Sequence, residues 1–268
     1  MLRAVIKNTR LLDGRAYIGI GLLGILISFR NNPDVIKALM FALSLVLYVA
    51  YAFAINNCFD SDTDALNPQK RNKNLIASGE LSFRAGIISS FTLILAGMLI
   101  SLFSNRDAFI VYAIMTALAT FYSAPPRLKA RPIVDVLSHG LFFGTMPFIY
   151  GAYFDGSITL YEGLIGLALF SYSMAMELRN HLEDYESDLK ANLKTTPIVI
   201  GKRTSEKLVL IFSLLSLAIL LGSLCYPFAL TGVLGLIETR RKAKISYELL
   251  DWSMVLLLIF HALKHSGV

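Results

Sequence analysis

The sequence predicts an all-α integral membrane protein, and three observations support this class. Of the 268 residues, 55% are hydrophobic and only 16% are charged, whereas a soluble domain carries about 25% charged residues. The apolar residues gather in segments near the length of about 20 residues that a helix needs to cross a bilayer. Lys and Arg residues concentrate in alternate gaps between these segments, which is typical of a chain that crosses a membrane repeatedly.

We predict nine transmembrane helices, at residues 14–31, 36–57, 84–104, 107–123, 132–154, 158–180, 205–225, 226–237 and 247–264. The eighth segment is short, and it can cross only by thinning the bilayer or by packing inside a bundle. The first resembles a secretory signal peptide, but no convincing cleavage site follows it. We therefore interpret it as a retained helix.

The distribution of basic residues predicts the orientation of the chain. An N-terminus in the cytoplasm places 21 of the 25 Lys and Arg residues in cytoplasmic segments. Without the eighth crossing, the basic loop that follows it would lie on the opposite side, so the charges favour nine spans. We expect a cell-membrane protein whose N-terminus and active-site loops are cytoplasmic. The basic cytoplasmic loops and their contact with membrane lipid then explain the net charge of +6. We therefore expect no nucleic-acid partner.

One polar pattern occurs twice, each time after an apolar segment. The copies are Asn56, Asp60 and Asp64, and Asn180, Asp184 and Asp188. A spacing of four residues places the three side chains of a copy on one helix face. A Lys follows the last Asp by six residues in both copies, at Lys70 and Lys194. The repetition predicts a single domain, 1–268, with duplicated halves 1–130 and 131–268, and a site between them.

Paired carboxylates of this kind predict a magnesium site. Mg²⁺ prefers oxygen ligands and is usually held by one or two carboxylates together with substrate phosphates. The neighbouring basic residues would bind the remaining phosphate charge. They are Lys70, Arg71, Lys73, Arg127, Lys129 and Lys194, and Tyr122 adds a hydroxyl donor. A single D-x3-D face is often only a solvated helix end, but two matched copies favour the metal site.

Two further polar pairs keep two interpretations each. Asp135 and His139 lie one turn apart at the start of the fifth segment, either as a general base near an acceptor or as a contact between helices. Glu177 and His181 share a face near the end of the sixth segment, where we expect a supporting or structural role. Cys58 and Cys225 form no metal-binding pattern.

The sequence resembles the UbiA superfamily of intramembrane prenyltransferases over nearly its whole length. The motifs that carry the resemblance are NNCFDSDTD at 56–64, YSAPPRLK at 122–129 and DYESDLKANLKTTPIVIG at 184–201. The resemblance implies nine transmembrane helices around a central cavity that is capped by the cytoplasmic motif loops and open sideways to lipid. It also implies Mg²⁺-dependent ionisation of a polyprenyl diphosphate donor, such as geranylgeranyl diphosphate, and transfer of the prenyl group to a lipophilic acceptor.

The resemblance also assigns roles to individual residues. Tyr122 and Lys129 would match a pair that contacts diphosphate, and Arg10 an arginine of the first helix. The Mg²⁺–diphosphate would be held by Asn56, Asp60, Asp64, Asp184 and Asp188.

The chain departs from the family pattern in one stretch. Many members carry NRPIPSG after the first motif, where this chain has RNKNLIASG at 71–79. The acceptor therefore stays open among an aromatic quinone precursor, a glycerol phosphate ether lipid and a carotenoid. A transfer between phosphoribosyl diphosphate and polyprenyl phosphate is an alternative. A non-catalytic cation-binding transporter is another, but polar residues gather at one face and the mid-spans are aliphatic, which argues against it.

Overall fold

The computed structural model describes residues 2–190, 192–224 and 247–266, and the described residues are almost entirely helical. Thirteen α-helices follow in chain order: α1 (Leu2–Asn8), α2 (Arg15–Phe29), α3 (Val35–Asp64), α4 (Pro68–Lys73), α5 (Phe83–Ser104), α6 (Arg106–Ser123), α7 (Val134–His139), α8 (Met146–Ala152), α9 (Leu160–Glu183), α10 (Tyr185–Lys190), α11 (Thr196–Ile200), α12 (Lys202–Leu224) and α13 (Tyr247–Ser266). Short 3₁₀ turns lie at Leu128–Ala130 and Tyr153–Asp155, and Gly140–Thr145 forms a π-helical turn.

Seven of the nine predicted spans coincide with single helices, α2, α3, α5, α6, α9, α12 and α13. Three of the described helices, α3, α5 and α12, combine the length and apolar character of a membrane span by themselves, and α2 is a shorter apolar helix. The predicted span at 226–237 lies outside the described residues. The structure thus confirms an all-helical fold with membrane-spanning helices, while the count of nine stays a prediction.

The predicted fifth span, 132–154, is not one regular helix. It consists of α7, the π-turn Gly140–Thr145, α8 and a final 3₁₀ turn. Pro147 has no N–H to continue the ladder at the start of α8, and a wider turn precedes it. A side chain at Gly144 would overlap the backbone of α9, so glycine lets the broken segment approach that helix closely.

Helix pairs α3–α5, α9–α12 and α2–α8 build most of the packing between elements. The close α2–α8 contact depends on glycine, because a Cβ atom at Gly24 or Gly151 would collide with the backbone of the opposite helix. Fully buried tyrosines in the core satisfy their hydroxyls, as Tyr112 does by donating to Ser44 O at 2.8 Å. An unsatisfied hydroxyl there would cost about 1–3 kcal/mol.

The outer faces of the long helices remain apolar. Large side chains stay exposed along the bundle, among them Leu39 and Leu43 on α3 and Leu95 and Leu99 on α5. Apolar surface of this extent would be unstable in water but is what a helix presents to lipid. The protein is therefore an integral membrane protein.

Candidate active site

The first motif lies on the last turns of α3, which continues as one helix to Asp64. This confirms the predicted common face of Asn56, Asp60 and Asp64. Asp60 and Asp64 are only 7% and 8% exposed. Asn56 is fixed across the bundle, where its Oδ1 accepts a hydrogen bond of 2.9 Å from Ser123 Oγ at the end of α6. Two carboxylates are therefore held close together in a poorly solvated place.

The loop after α6 supplies the cations for Asp60. The Ala-Pro-Pro sequence ends α6 at Ser123, because the residue before a proline disfavours helical geometry. The turn then brings Lys129 into contact with Asp60, and Arg127 Nη2 lies 3.2 Å from the same carboxylate. Arg127 adopts a left-handed φ of 56°, and its Nε is buried without a hydrogen-bond partner. The loop therefore presents a donor that an anion could satisfy.

The second motif does not lie on one continuous helix, and that prediction is wrong. Helix α9 ends at Glu183, Asp184 caps it, and Asp188 lies on the separate short helix α10. The carbonyl of Asp184 accepts the Ser187 hydroxyl at 2.7 Å and the backbone N–H of Asp188 at 2.9 Å, so it begins the new helix α10. The spacing of four therefore spans a helix junction in this copy.

Basic residues join the two motifs. Lys70, on α4 behind the first motif, lies 2.7 Å from a carboxylate oxygen of Asp184 in the second. Lys129 contacts Asp60 of the first motif. Burial lowers the pKa of Lys129 to about 8, although the carboxylates of Glu177, Asp188 and Asp184 favour its charged form. Contacts of Lys70 and Lys129 thus place residues of both motifs and of the central loop close together.

Four predicted phosphate-binding residues lie apart from these contacts. Arg71, Lys73 and Lys194 are exposed. Arg10 pairs with Asp13 at 2.8 Å, and its guanidinium lies 5.3 Å from the centre of the Phe53 ring. Their part in phosphate binding stays a prediction.

Asn74 is a positioning residue that the sequence did not single out. It is fully buried, and its Nδ2 donates to Asp64 Oδ2 and to Asn57 O, both at 2.9 Å. Its Oδ1 accepts from the backbone N–H groups of Ile76 and Ala77 at 3.0 and 3.2 Å. Asn74 lies within the stretch that departs from the family pattern, and that departure was the only signal pointing to it.

The two polar pairs left open in the sequence have different environments. Asp135 is fully buried and accepts hydrogen bonds from the backbone N–H of Thr196 at 2.7 Å and from its hydroxyl. It therefore ties α11 to α7, which favours the structural interpretation. His139 does not pair with Asp135. Its Nε2 lies 3.3 Å from Glu177, which also accepts the Tyr122 hydroxyl.

The donor set fits a magnesium ion that substrate completes. Among the residues that the structure describes, no three His, Cys, Asp or Glu side chains converge into a group that would hold a metal alone. Mg²⁺ needs no such cage, since one or two carboxylates and phosphate oxygens suffice. Asp60 and Asp64, one turn apart and nearly buried, supply carboxylate oxygens of this kind.

Comparisons with known proteins agree with this architecture. The model of the UbiA prenyltransferase family matches residues 17–248. A digeranylgeranylglyceryl phosphate synthase of Thermococcus sibiricus is 30% identical over 194 residues, covering 72% of this chain and 67% of that protein. A solved UbiA homolog from Archaeoglobus fulgidus bound to DMAPP and Mg²⁺ superposes with a TM-score of 0.77 at 20% identity, covering 98% of this chain and 99% of that one. A solved digeranylgeranylglyceryl phosphate synthase gives 0.73 at 20% identity, covering 100% and 99%.

Proposed function

This chain belongs to the UbiA prenyltransferase family, and from that premise we propose that it transfers a geranylgeranyl group from its diphosphate to a hydroxyl of a glycerol phosphate ether lipid. One observation carries the proposal. Lys70, which follows the first carboxylate motif, pairs with Asp184 of the second, and Lys129 contacts Asp60 of the first, so carboxylates and cations lie together as binding of a metal-bound diphosphate requires. Among the three acceptor classes left open by the sequence, similarity to digeranylgeranylglyceryl phosphate synthases favours the glycerol phosphate ether lipid.

The carboxylates would bind the donor through Mg²⁺. Asp60 and Asp64 form one side, Asp184 and Asp188 the other, and Asn56 lies on the same helix face as the first pair. Mg²⁺, when bound, neutralises charge that develops on diphosphate as the allylic C–O bond breaks. The fold of the A. fulgidus homolog bound to DMAPP and Mg²⁺ supports this cofactor.

The basic residues would exchange partners when the donor arrives. Lys129 and Arg127 now neutralise Asp60, and Lys70 neutralises Asp184. Lys129, Arg127 and Lys70 would then turn from carboxylate to phosphate oxygens of the bound donor. The buried Arg127 Nε gains an acceptor in the process.

Aromatic rings would protect the allylic cation on the membrane side. Tyr17 stacks on Phe143 with ring centres 4.0 Å apart, and the Tyr122 ring lies 4.8 Å from Phe142. The faces of these rings can stabilise positive charge, and their apolar surfaces would keep water away from the cation. The same apolar environment suits a long prenyl chain.

The topology completes the proposal. We propose nine spans around a central cavity in a single domain of two duplicated halves, in the cell membrane, with the N-terminus and motif loops in the cytoplasm. Exposed basic residues at Arg71, Lys73 and Lys194 would then meet lipid head groups or diphosphate, with no role for nucleic acid. Family membership favours this enzyme over a cation transporter.

Diphosphate release tests the function directly. Purified protein is incubated with Mg²⁺, geranylgeranyl diphosphate and each acceptor class, and released diphosphate and the ether product are measured. Asp60→Ala and Asp184→Ala should each abolish release, whereas Asp62→Ala, an exposed carboxylate on the same helix as Asp60, should not. Release that persists in both variants would overturn the metal site, and product formed only from phosphoribosyl diphosphate would favour the alternative transferase.

A further inference from the structure

Glu177 lies on α9, within the predicted sixth span at 158–180, and is only 4% exposed. The Tyr122 hydroxyl donates to its Oε1, and Asn180 Nδ2 donates to Oε2 at 3.2 Å. A carboxylate within a span is costly to bury, so it is by default a candidate functional residue. Neither proposed metal motif includes Glu177. The cluster of Glu177, Tyr122 and Asn180 therefore needs an explanation separate from metal binding.

Two imidazoles lie against the Glu177 carboxylate. His139 Nε2 lies 3.3 Å from Oε2, and His181 Nε2 lies 3.1 Å from Oε1. Ser173 Oγ donates its proton to His139 O at 3.1 Å and lies 2.9 Å from His139 Nδ1. Ser173 thus accepts from Nδ1–H, so the opposite ring nitrogen, Nε2, faces Glu177. The His139 imidazole and the Glu177 carboxylate thus lie in direct contact.

The cluster adjoins the diphosphate site on its membrane side. Glu177 precedes Asp184 by seven residues, about 10 Å along a helix axis. Lys129 contacts Asp60, and the negative charge of Glu177 also favours the charged form of Lys129. The allylic carbon that loses diphosphate must lie next to the diphosphate and towards the lipid. Tyr122 is partly exposed whereas Glu177 is buried, so a substrate would reach Tyr122 first.

We propose that Tyr122 and Glu177 form a relay that accepts the proton of the acceptor hydroxyl, an inference that rests on the proposed prenyl transfer. The C–O bond to diphosphate breaks and diphosphate leaves with the electron pair. The acceptor oxygen bonds to the allylic carbon and loses its proton to the Tyr122 oxygen, while the Tyr122 proton passes to the Glu177 carboxylate. Tyr122 is the catalytic residue that touches the acceptor, and Glu177 acts through it.

The partners of Glu177 make it a weak base, and a weak base is sufficient for this step. An alcohol oxygen that has bonded to an allylic cation is a strong acid, so the proton transfer needs proximity more than a strong base. An ionised Glu177 also lowers the energy of the cation beside it. The pair consequently explains how an alcohol, unlike an easily ionised phenol, becomes a usable acceptor.

The test separates ether formation from donor ionisation. Wild type, Glu177→Gln, Tyr122→Phe and the double variant are supplied with Mg²⁺, geranylgeranyl diphosphate and the ether-lipid acceptor. Ether product, geranylgeraniol and diphosphate are each quantified. Each single variant should lose about 100-fold or more in ether formation, the usual contribution of general-base catalysis. Diphosphate release should fall much less, with geranylgeraniol replacing the ether.

Non-additivity provides the second readout. Because the two residues act in one relay, the double variant should resemble either single variant. Glu183→Gln, an exposed acid on the same helix, should leave the product ratio unchanged. Tyr122→Phe removes only a hydroxyl, so it keeps the test decisive should Glu177→Gln fail to fold.

The outcomes are distinguishable. A wild type without Mg²⁺-dependent ether formation refutes the prenyl transfer itself. An active wild type whose variants keep the ratio of ether to geranylgeraniol, or lose ether and diphosphate release in parallel, refutes the relay and leaves Glu177 as a structural anchor.

Discussion

Replacing Asn74 by Ala tests whether the loop after α4 fixes the metal-binding geometry. The change removes the donors to Asp64 Oδ2 and Asn57 O, both in buried surroundings. Each lost buried partner costs about 1–3 kcal/mol, so we expect about 3 kcal/mol in all. For a chain of this size that lowers Tm by about 6–12 °C.

Asn74→Ala should also weaken Mg²⁺ binding in the molecules that stay folded. Removing a residue that orients a metal ligand typically costs 10–100-fold in metal affinity, so the half-maximal Mg²⁺ concentration for diphosphate release should rise by about that factor. Asn72→Ala is the matched control, because Asn72 is exposed two residues earlier. Thermal unfolding and Mg²⁺ titration in detergent measure both quantities. A lowered Tm with the Mg²⁺ requirement of the control would refute the positioning role.

Three further outcomes follow from the packing and the charges. Gly24→Ala should lower Tm by several degrees because its Cβ would collide with the backbone of α8, whereas Gly19→Ala, with open space around it, should leave Tm unchanged or slightly raised. Lys70→Ala should change the free energy of unfolding by less than about 1 kcal/mol, since its pair with Asp184 is partly solvated, yet raise KM for the diphosphate donor. EDTA should abolish diphosphate release, and added Mg²⁺ should restore it.

Periodicity and charge predicted most of the helices because membrane spans are long, apolar and flanked by basic residues. The break in the fifth span was missed because its cause is partly tertiary. Pro147 and Gly144 were visible in the sequence, but the close approach of α9 to Gly144 within the π-turn was not. Likewise, the spacing of Asp184 and Asp188 predicted one helix face, since spacing alone does not register a helix junction at Asp184.

The site was predictable as far as its chemistry repeats in the sequence. The repeated spacing and the shared neighbours identified the four aspartates Asp60, Asp64, Asp184 and Asp188. A residue that occurs outside the repeat has no such signal in the sequence. Asn74 reaches Asp64 only because the chain after α4 folds back onto α3. Glu177 meets Tyr122, 55 residues apart in sequence, only because α6 and α9 both pack against the turn Gly140–Thr145.

The pairing of carboxylates with cations also explains how the site persists without its substrate. Asp60 and Asp64 lie one turn apart with little solvent, and their repulsion would destabilise the end of α3 if nothing opposed it. Lys129 and Arg127 neutralise Asp60, while the neutral amide of Asn74 holds Asp64 without cancelling its charge. Lys129 and Arg127 therefore neutralise one carboxylate of the pair, whereas the other is held only by the amide dipole of Asn74. Under the proposed function, Asp64 would bind the incoming Mg²⁺ first, and Lys129 and Arg127 would then be free to bind the phosphate oxygens of the donor.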